Sequence, residues 1–180
     1  MPYNPQVHHR RSIRLKGYDY TQPGAYFVTM VTQGRECLLG EVAGTEIRLL
    51  RSGTIAQRAW LDLPRHYPHV QLDEFCIMPN HLHGIVVLTN DRRGGSIQVK
   101  EGMSDSNQTR PYLPEIVRAF KSFSARRINA LRHTPGIPVW QRNYYEHIVR
   151  DEAEWERIRA YIRDNPRRWA QDHENPLRAV

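Results

Sequence analysis

The chain has 180 residues, with 26 lysines and arginines against 19 acidic residues and a formal net charge of +7. That length suits one well-filled domain, 1–180, because two domains would each have a thin core, and the charge points to a polyanion, nucleic acid before an anionic membrane surface. No apolar run approaches the roughly 20 residues that cross a bilayer, and Cys37 and Cys76 lack CxxC spacing, so a membrane span, a disulfide framework and a thiolate zinc site are excluded and a reducing cytoplasm is expected.

Residues 1–24 are polar and basic, punctuated by Gly17, Pro23 and Gly24, and read as a basic arm. Ala25 to Thr32, rich in β-branched and aromatic residues, predicts a buried strand. Glu36 to Leu50 has two short apolar runs around Ala43-Gly44, the pattern of an appended hairpin. From Thr54, the positions Ile55, Ala59, Trp60 and Leu63 recur at helical spacing until Pro64 and Pro68 stop them. Val70 to Met78 and His81 to Leu88 predict two strands joined at Pro79-Asn80, and the second is apolar enough past its histidines for a central position.

Segment 89–112 has no period and is rich in Gly, Ser, Asp and Asn, so a mobile loop is expected there. Pro114 in a first turn, followed by Ile116, Val117, Phe120, Phe123, Ile128 and Leu131, predicts a helix over 113–132 with a basic outer side. Tyr144 to Val149 predicts a strand, and Asp151 with Glu154 forms a capping-box pattern opening a last helix that runs to Asn165-Pro166. The order is that of an α+β, ferredoxin-like split βαβ fold: an antiparallel sheet with helices on one face, plus a C-terminal helix.

Two features carry chemistry. His81 and His83 stand two apart on a predicted strand, hence on one face, which is the geometry of a metal clamp as well as of ordinary hydrogen-bonded strand histidines. Tyr161 and Asn165 stand four apart on the last helix beside a stripe of Trp155, Ile158 and Ile162. There Tyr161 reads either as a core residue with a wet hydroxyl or as a nucleophile, and Asn165 either as a helix C-terminal signal or as a carbonyl offered to a metal.

Taken together the motifs resemble those of the REP-associated tyrosine transposases, relatives of the small single-strand insertion-sequence transposases within the HUH superfamily. The likeness lies in Arg10 to Tyr18, Gly24 to Thr29, Met78-Pro-Asn-His-Leu-His-Gly84, Trp140-Gln141, Tyr145-Glu-His-Ile148 and Tyr161-Ile-Arg-Asp-Asn-Pro166. The resemblance implies that His81 and His83 are metal ligands, Tyr161 the single nucleophile and Asn165 the third ligand position; His147 falls in a matching segment with its role open. It further implies a divalent ion, Mg²⁺ or Mn²⁺, and nicking and joining of single-stranded DNA through a 5′-phosphotyrosine link beside a palindromic repeat hairpin.

Arg10, Arg11, Arg14 and Lys16 of the arm, with Arg118, Lys121 and Arg126 of the 113–132 helix, are the expected phosphate contacts, and Tyr18, Tyr20 and Tyr112 candidate stacking surfaces. Monomer and homodimer are equally compatible with the sequence. Two other functions stay open: a noncatalytic binder of hairpin DNA or RNA, and a hydrolase in which the histidine pair activates water. Against the second, no carboxylate clusters near His81 in the sequence.

Overall fold

The computed structural model describes residues 23–90 and 112–178. The expected basic arm, with Arg10, Arg11, Arg14 and Lys16, and most of the expected 89–112 loop lie outside the described residues.

Four strands, β1 (Gly24–Val31), β4 (Val70–Ile77), β5 (His81–Leu88) and β6 (Tyr145–Val149), form one sheet in the order β4-β5-β1-β6 with every neighbouring pair antiparallel. That is the split βαβ arrangement expected from the sequence. A two-stranded hairpin, β2 (Gly40–Ala43) with β3 (Glu46–Leu49), stands beside it. The helices are α1 (Arg51–Leu61), α2 (Leu63–His66), α3 (Leu113–Arg132) and α4 (Glu152–Asp164), the last continuing into a 3-10 helix, Asn165–Gln171.

Alternation along the strands divides the sheet into two faces. Tyr26, Val28, Met30, Leu82 and Val86 point to one, where Trp60 of α1 and Ile116 and Phe120 of α3 complete a large apolar core. Gly84 belongs to this face because Trp60 occupies its side-chain space: a Cβ there would lie 2.6 Å from the indole. Ala25, Phe27 and Ile85 point to the other face and pack beneath Ile162 of α4. The C-terminal helix therefore covers the side that α1 and α3 leave open.

Two boundaries differ from expectation. Helix α1 begins at Arg51 rather than Thr54, and its N-cap Leu50 contributes no side-chain cap. Pro64 does not end helical structure but sits in the first turn of α2, where a missing N–H costs nothing. The capping box at α4 forms as expected, with Asp151 accepting from the Glu154 N–H at 2.7 Å. Glu154 reaches back to the Arg150 N–H at 2.8 Å.

Candidate active site

His81 and His83 pair across β1 with Val31 and Thr29, on the α4 face, and are almost wholly buried. Their Nε2 atoms lie 2.9 Å apart. Asn80 fixes the first ring. Its Nδ2 donates to the carbonyls of Arg35 (3.0 Å) and Glu174 (2.7 Å), so its Oδ1 is the atom 2.8 Å from His81 Nδ1. An oxygen there accepts, which places the proton of a neutral His81 on Nδ1 and leaves the Nε2 lone pair available. The His83 Nδ1 is held 2.8 Å from Thr29 Oγ1, and Phe27 stacks on its ring at 5.5 Å.

Burial keeps both rings neutral, the form that ligates metals. It pushes His81 down to about 3 against a weaker opposing contribution from the Asn165 amide. His83 falls well below its ordinary value through burial and then the neighbouring His81, with Asp172 opposing.

Helix α4 brings Tyr161 to this pair, its hydroxyl 3.3 Å from His83 Nε2 and its ring edge-on to Phe27 at 6.0 Å. Docking is specified by Ile162, Trp155 and Ile158, and by Asp73 of β4, which accepts from Trp155 Nε1 and from Arg159 Nη2, each at 2.6 Å. Asp73 lies where the β4-β5 register slips between Leu72 and Phe75, a bulge that re-aims a side chain. Burial alone would raise its carboxyl, but its bonds from Arg159, the Glu74 N–H and Trp155 hold it below the ordinary value.

Tyr161 is 42% exposed. Its phenol is raised by burial first and then by the Asp172 carboxylate, with the Asn165 amide working the other way.

Asn165 is 2% exposed, and its Oδ1 accepts no hydrogen bond within the described residues. A buried carbonyl oxygen without a donor asks for a cation or another partner. Sequence reasoning missed one group here. Asp172, just past the 3-10 helix, places Oδ2 3.9 Å from His81 Nε2, and the ligand atoms of His81, His83 and Asp172 all lie within 4.8 Å of one another. So a carboxylate does stand beside His81, although the linear sequence separates them. Its only sequence signal is the acidic pair Asp172 and Glu174 after the Tyr161 motif.

Two neutral imidazoles, a carboxylate and an orphaned amide oxygen fit a divalent ion that accepts nitrogen and oxygen ligands. His83, Asn165 and Asp172 open on a cavity of about 510 Å³ that Tyr145, Tyr161 and Arg168 also line. His147 is not among these residues. Its Nε2 is 2.8 Å from Glu154 Oε1, a contact that ties β6 to the start of α4.

Of the expected phosphate contacts on α3, Arg118 and Arg126 are exposed. Lys121 donates to the carbonyls of Gln141 (3.0 Å) and Asn143 (2.8 Å). All three lie across the sheet from the histidines, because α3 packs on the opposite face.

No protein-family model matches the chain. An uncharacterised protein of Haemophilus influenzae is 40% identical over 173 residues, 94% of this chain and 95% of the relative. A second protein of that organism, named "Putative REP-associated tyrosine transposase", is 27% identical over 148 residues, 82% of this chain and 73% of the relative. The chain is similar to a REP-associated tyrosine transposase. A solved structure of a REP-associated tyrosine transposase bound to a REP hairpin is also similar, at 21% identity and a TM-score of 0.47 over 79% of this chain and 66% of that one. In this chain, the strand that carries His81 and His83 and the helix that carries Tyr161 meet on one face of the sheet.

Proposed function

We propose that the chain is a metal-dependent nicking and joining enzyme for single-stranded DNA, acting beside palindromic repeat hairpins with Tyr161 as nucleophile. The observation that carries this reading is the 3.3 Å approach of the Tyr161 hydroxyl to His83 Nε2, one of two imidazole nitrogens held 2.9 Å apart. The hairpin partner is inferred from the likeness to a REP-associated tyrosine transposase.

His81, His83 and Asp172, with Asn165 Oδ1 as a fourth donor, would hold the ion. When bound, Mg²⁺ or Mn²⁺ polarises a nonbridging phosphate oxygen and fixes the scissile phosphate. The remaining work belongs to the chain. Asn80 and Thr29 keep the imidazole nitrogens turned to the ion site, and the Asp73 clamp holds α4 so that the Tyr161 oxygen enters opposite the leaving 3′ oxygen.

The Tyr161 phenol is raised, so attack requires a proton acceptor, and the carboxylates Asp172 and Glu174 line the same cavity. Tyr161 oxygen bonds to phosphorus, the bond to the 3′ oxygen breaks, the phenol proton passes to a cavity carboxylate or water, and the leaving 3′ oxygen takes up a proton from water to become a hydroxyl. The resulting 5′-phosphotyrosine keeps the phosphodiester's energy, so a 3′ hydroxyl reverses the step and joins strands without a nucleotide cofactor.

The test is labelled hairpin-bearing single strands incubated with Mg²⁺ or Mn²⁺ and resolved on a denaturing gel. A protein-linked band that Tyr161→Phe abolishes is expected; its absence from the wild type sinks the reading. Asp172 also favours a second one, hydrolysis by activated water with Tyr161 as bystander, which gives cut DNA without a linked band and leaves Tyr161→Phe active.

A further inference from the structure

Across the sheet from the histidines there is a second cavity, of about 360 Å³, between the first turns of α3 and the segment leading into β6. That volume lies in the range of small-molecule sites, about 300–1,000 Å³. Arg118, Lys121 and Arg142 line it with Tyr112 and Tyr144, and Glu115 is the one carboxylate among its lining residues. Glu115 stands 4.0 Å from Arg118, which is otherwise mostly in solvent.

The Lys121 ammonium lies 5.3 Å from the centre of the Tyr144 ring. Two of its three donors are taken by backbone carbonyls, which fix it in place as part of the wall. Two tyrosines and three cations lining one cavity suit a ligand with one flat face and one anionic end.

The position of this cavity connects it to the first. Tyr144 and Tyr145 are consecutive, and side chains alternate across a strand, so Tyr145 lines the histidine cavity while Tyr144 lines this one. Strand β6 is the sheet's edge, so a polynucleotide can pass from one cavity to the other around the edge without crossing the sheet.

We infer that the Tyr112–Arg142 cavity is a second binding site, one that holds an unpaired nucleotide of the same strand whose phosphate lies at the histidines. A base stacks on the tyrosine rims, and Arg118 and Arg142 receive the phosphate. This rests on the single-strand reading above, and its test does not depend on cleavage.

The experiment is a titration of the full chain with dTMP, and in parallel with inorganic phosphate, followed by backbone and aromatic-ring NMR. Saturable dTMP shifts are expected over 112–122 and 141–144. Arg142→Glu should remove them without moving the resonances of the Tyr161 cavity. Phosphate alone should leave the tyrosine rings unshifted.

In hairpin-bearing single strands, Arg142→Ala should lower the slope of log affinity against log salt by about one, and Tyr112→Ala should weaken binding about tenfold. Shifts confined to the histidine cavity, phosphate shifts identical to those of dTMP, or a salt slope unchanged in Arg142→Ala would each overturn the site. A chain that binds dTMP here yet forms no DNA adduct would refute the catalytic reading and keep this one; an adduct without dTMP binding would do the reverse.

Discussion

The two faces of the central sheet are made by the same strands and differ in kind. Leu82 and Val86 of β5 enter a dry apolar core with Trp60 and Phe120, while their neighbours His81, His83 and Ile85 enter a face that is apolar beneath Ile162 and polar at one end. A period of two therefore lets one strand stabilise the fold and hold reactive groups at successive residues. Damage to one face should leave the other largely intact, and that separation can be attacked directly.

Tyr161→Phe should cut DNA adduct formation by ~10³-fold or more, the scale for removing a nucleophile, with an unchanged unfolding temperature. A large drop in that temperature would make Tyr161 a core residue and erase the distinction. On the other face, Trp60→Ala should cost about 3–5 kcal/mol in denaturant unfolding, and Gly84→Ala about 1–3 kcal/mol by overpacking against the indole. Both should spare metal affinity where the chain still folds.

Mn²⁺ at a hundredfold excess over its Kd should stabilise the wild type by about 2.7 kcal/mol, read by thermal shift, and His81→Ala should abolish the gain. Asp73→Asn should cost on the order of 1–3 kcal/mol and reduce adduct formation more than hairpin binding, because it loosens α4, which carries Tyr161, without touching the histidines.

A pH-dependent effect concerns Lys121, whose ammonium is pushed down to about 8 by burial from an ordinary 10.5. The unfolded chain then holds the extra proton between those values, so stability rises with pH across that window and is flat below it. Lys121→Met should remove the slope in pH-dependent unfolding.

The elements with strong periodicity were legible in the sequence: β1, the β4-β5 pair, α3 and the capped start of α4. The start of α1 was not, because Leu50 gives no capping signal. Nor was the value of Pro64 as a first-turn residue, since a proline reads as a stop and as an opening with equal ease. In the site, the histidine spacing and the Tyr161-Asn165 pair could be read as neighbours on their own elements.

Two contributions were hidden because they depend on the tertiary fold alone. Asp172 follows an irregular helix with no period to place it, and Asp73 acts through a bulge that no local pattern announces. Lys121 reads as a phosphate contact in sequence, whereas in the fold it donates to the Gln141 and Asn143 carbonyls on the approach to β6.

Asn80 shows how closely one position can be constrained. Its oxygen faces His81, and its amide nitrogen holds both the Arg35 and the Glu174 carbonyls. Aspartate has no hydrogen for those carbonyls, serine cannot span them, and glutamine displaces the group by a methylene. In the vocabulary of this chain, position 80 is a word without synonyms, joining the histidine strand to a segment from each side of it.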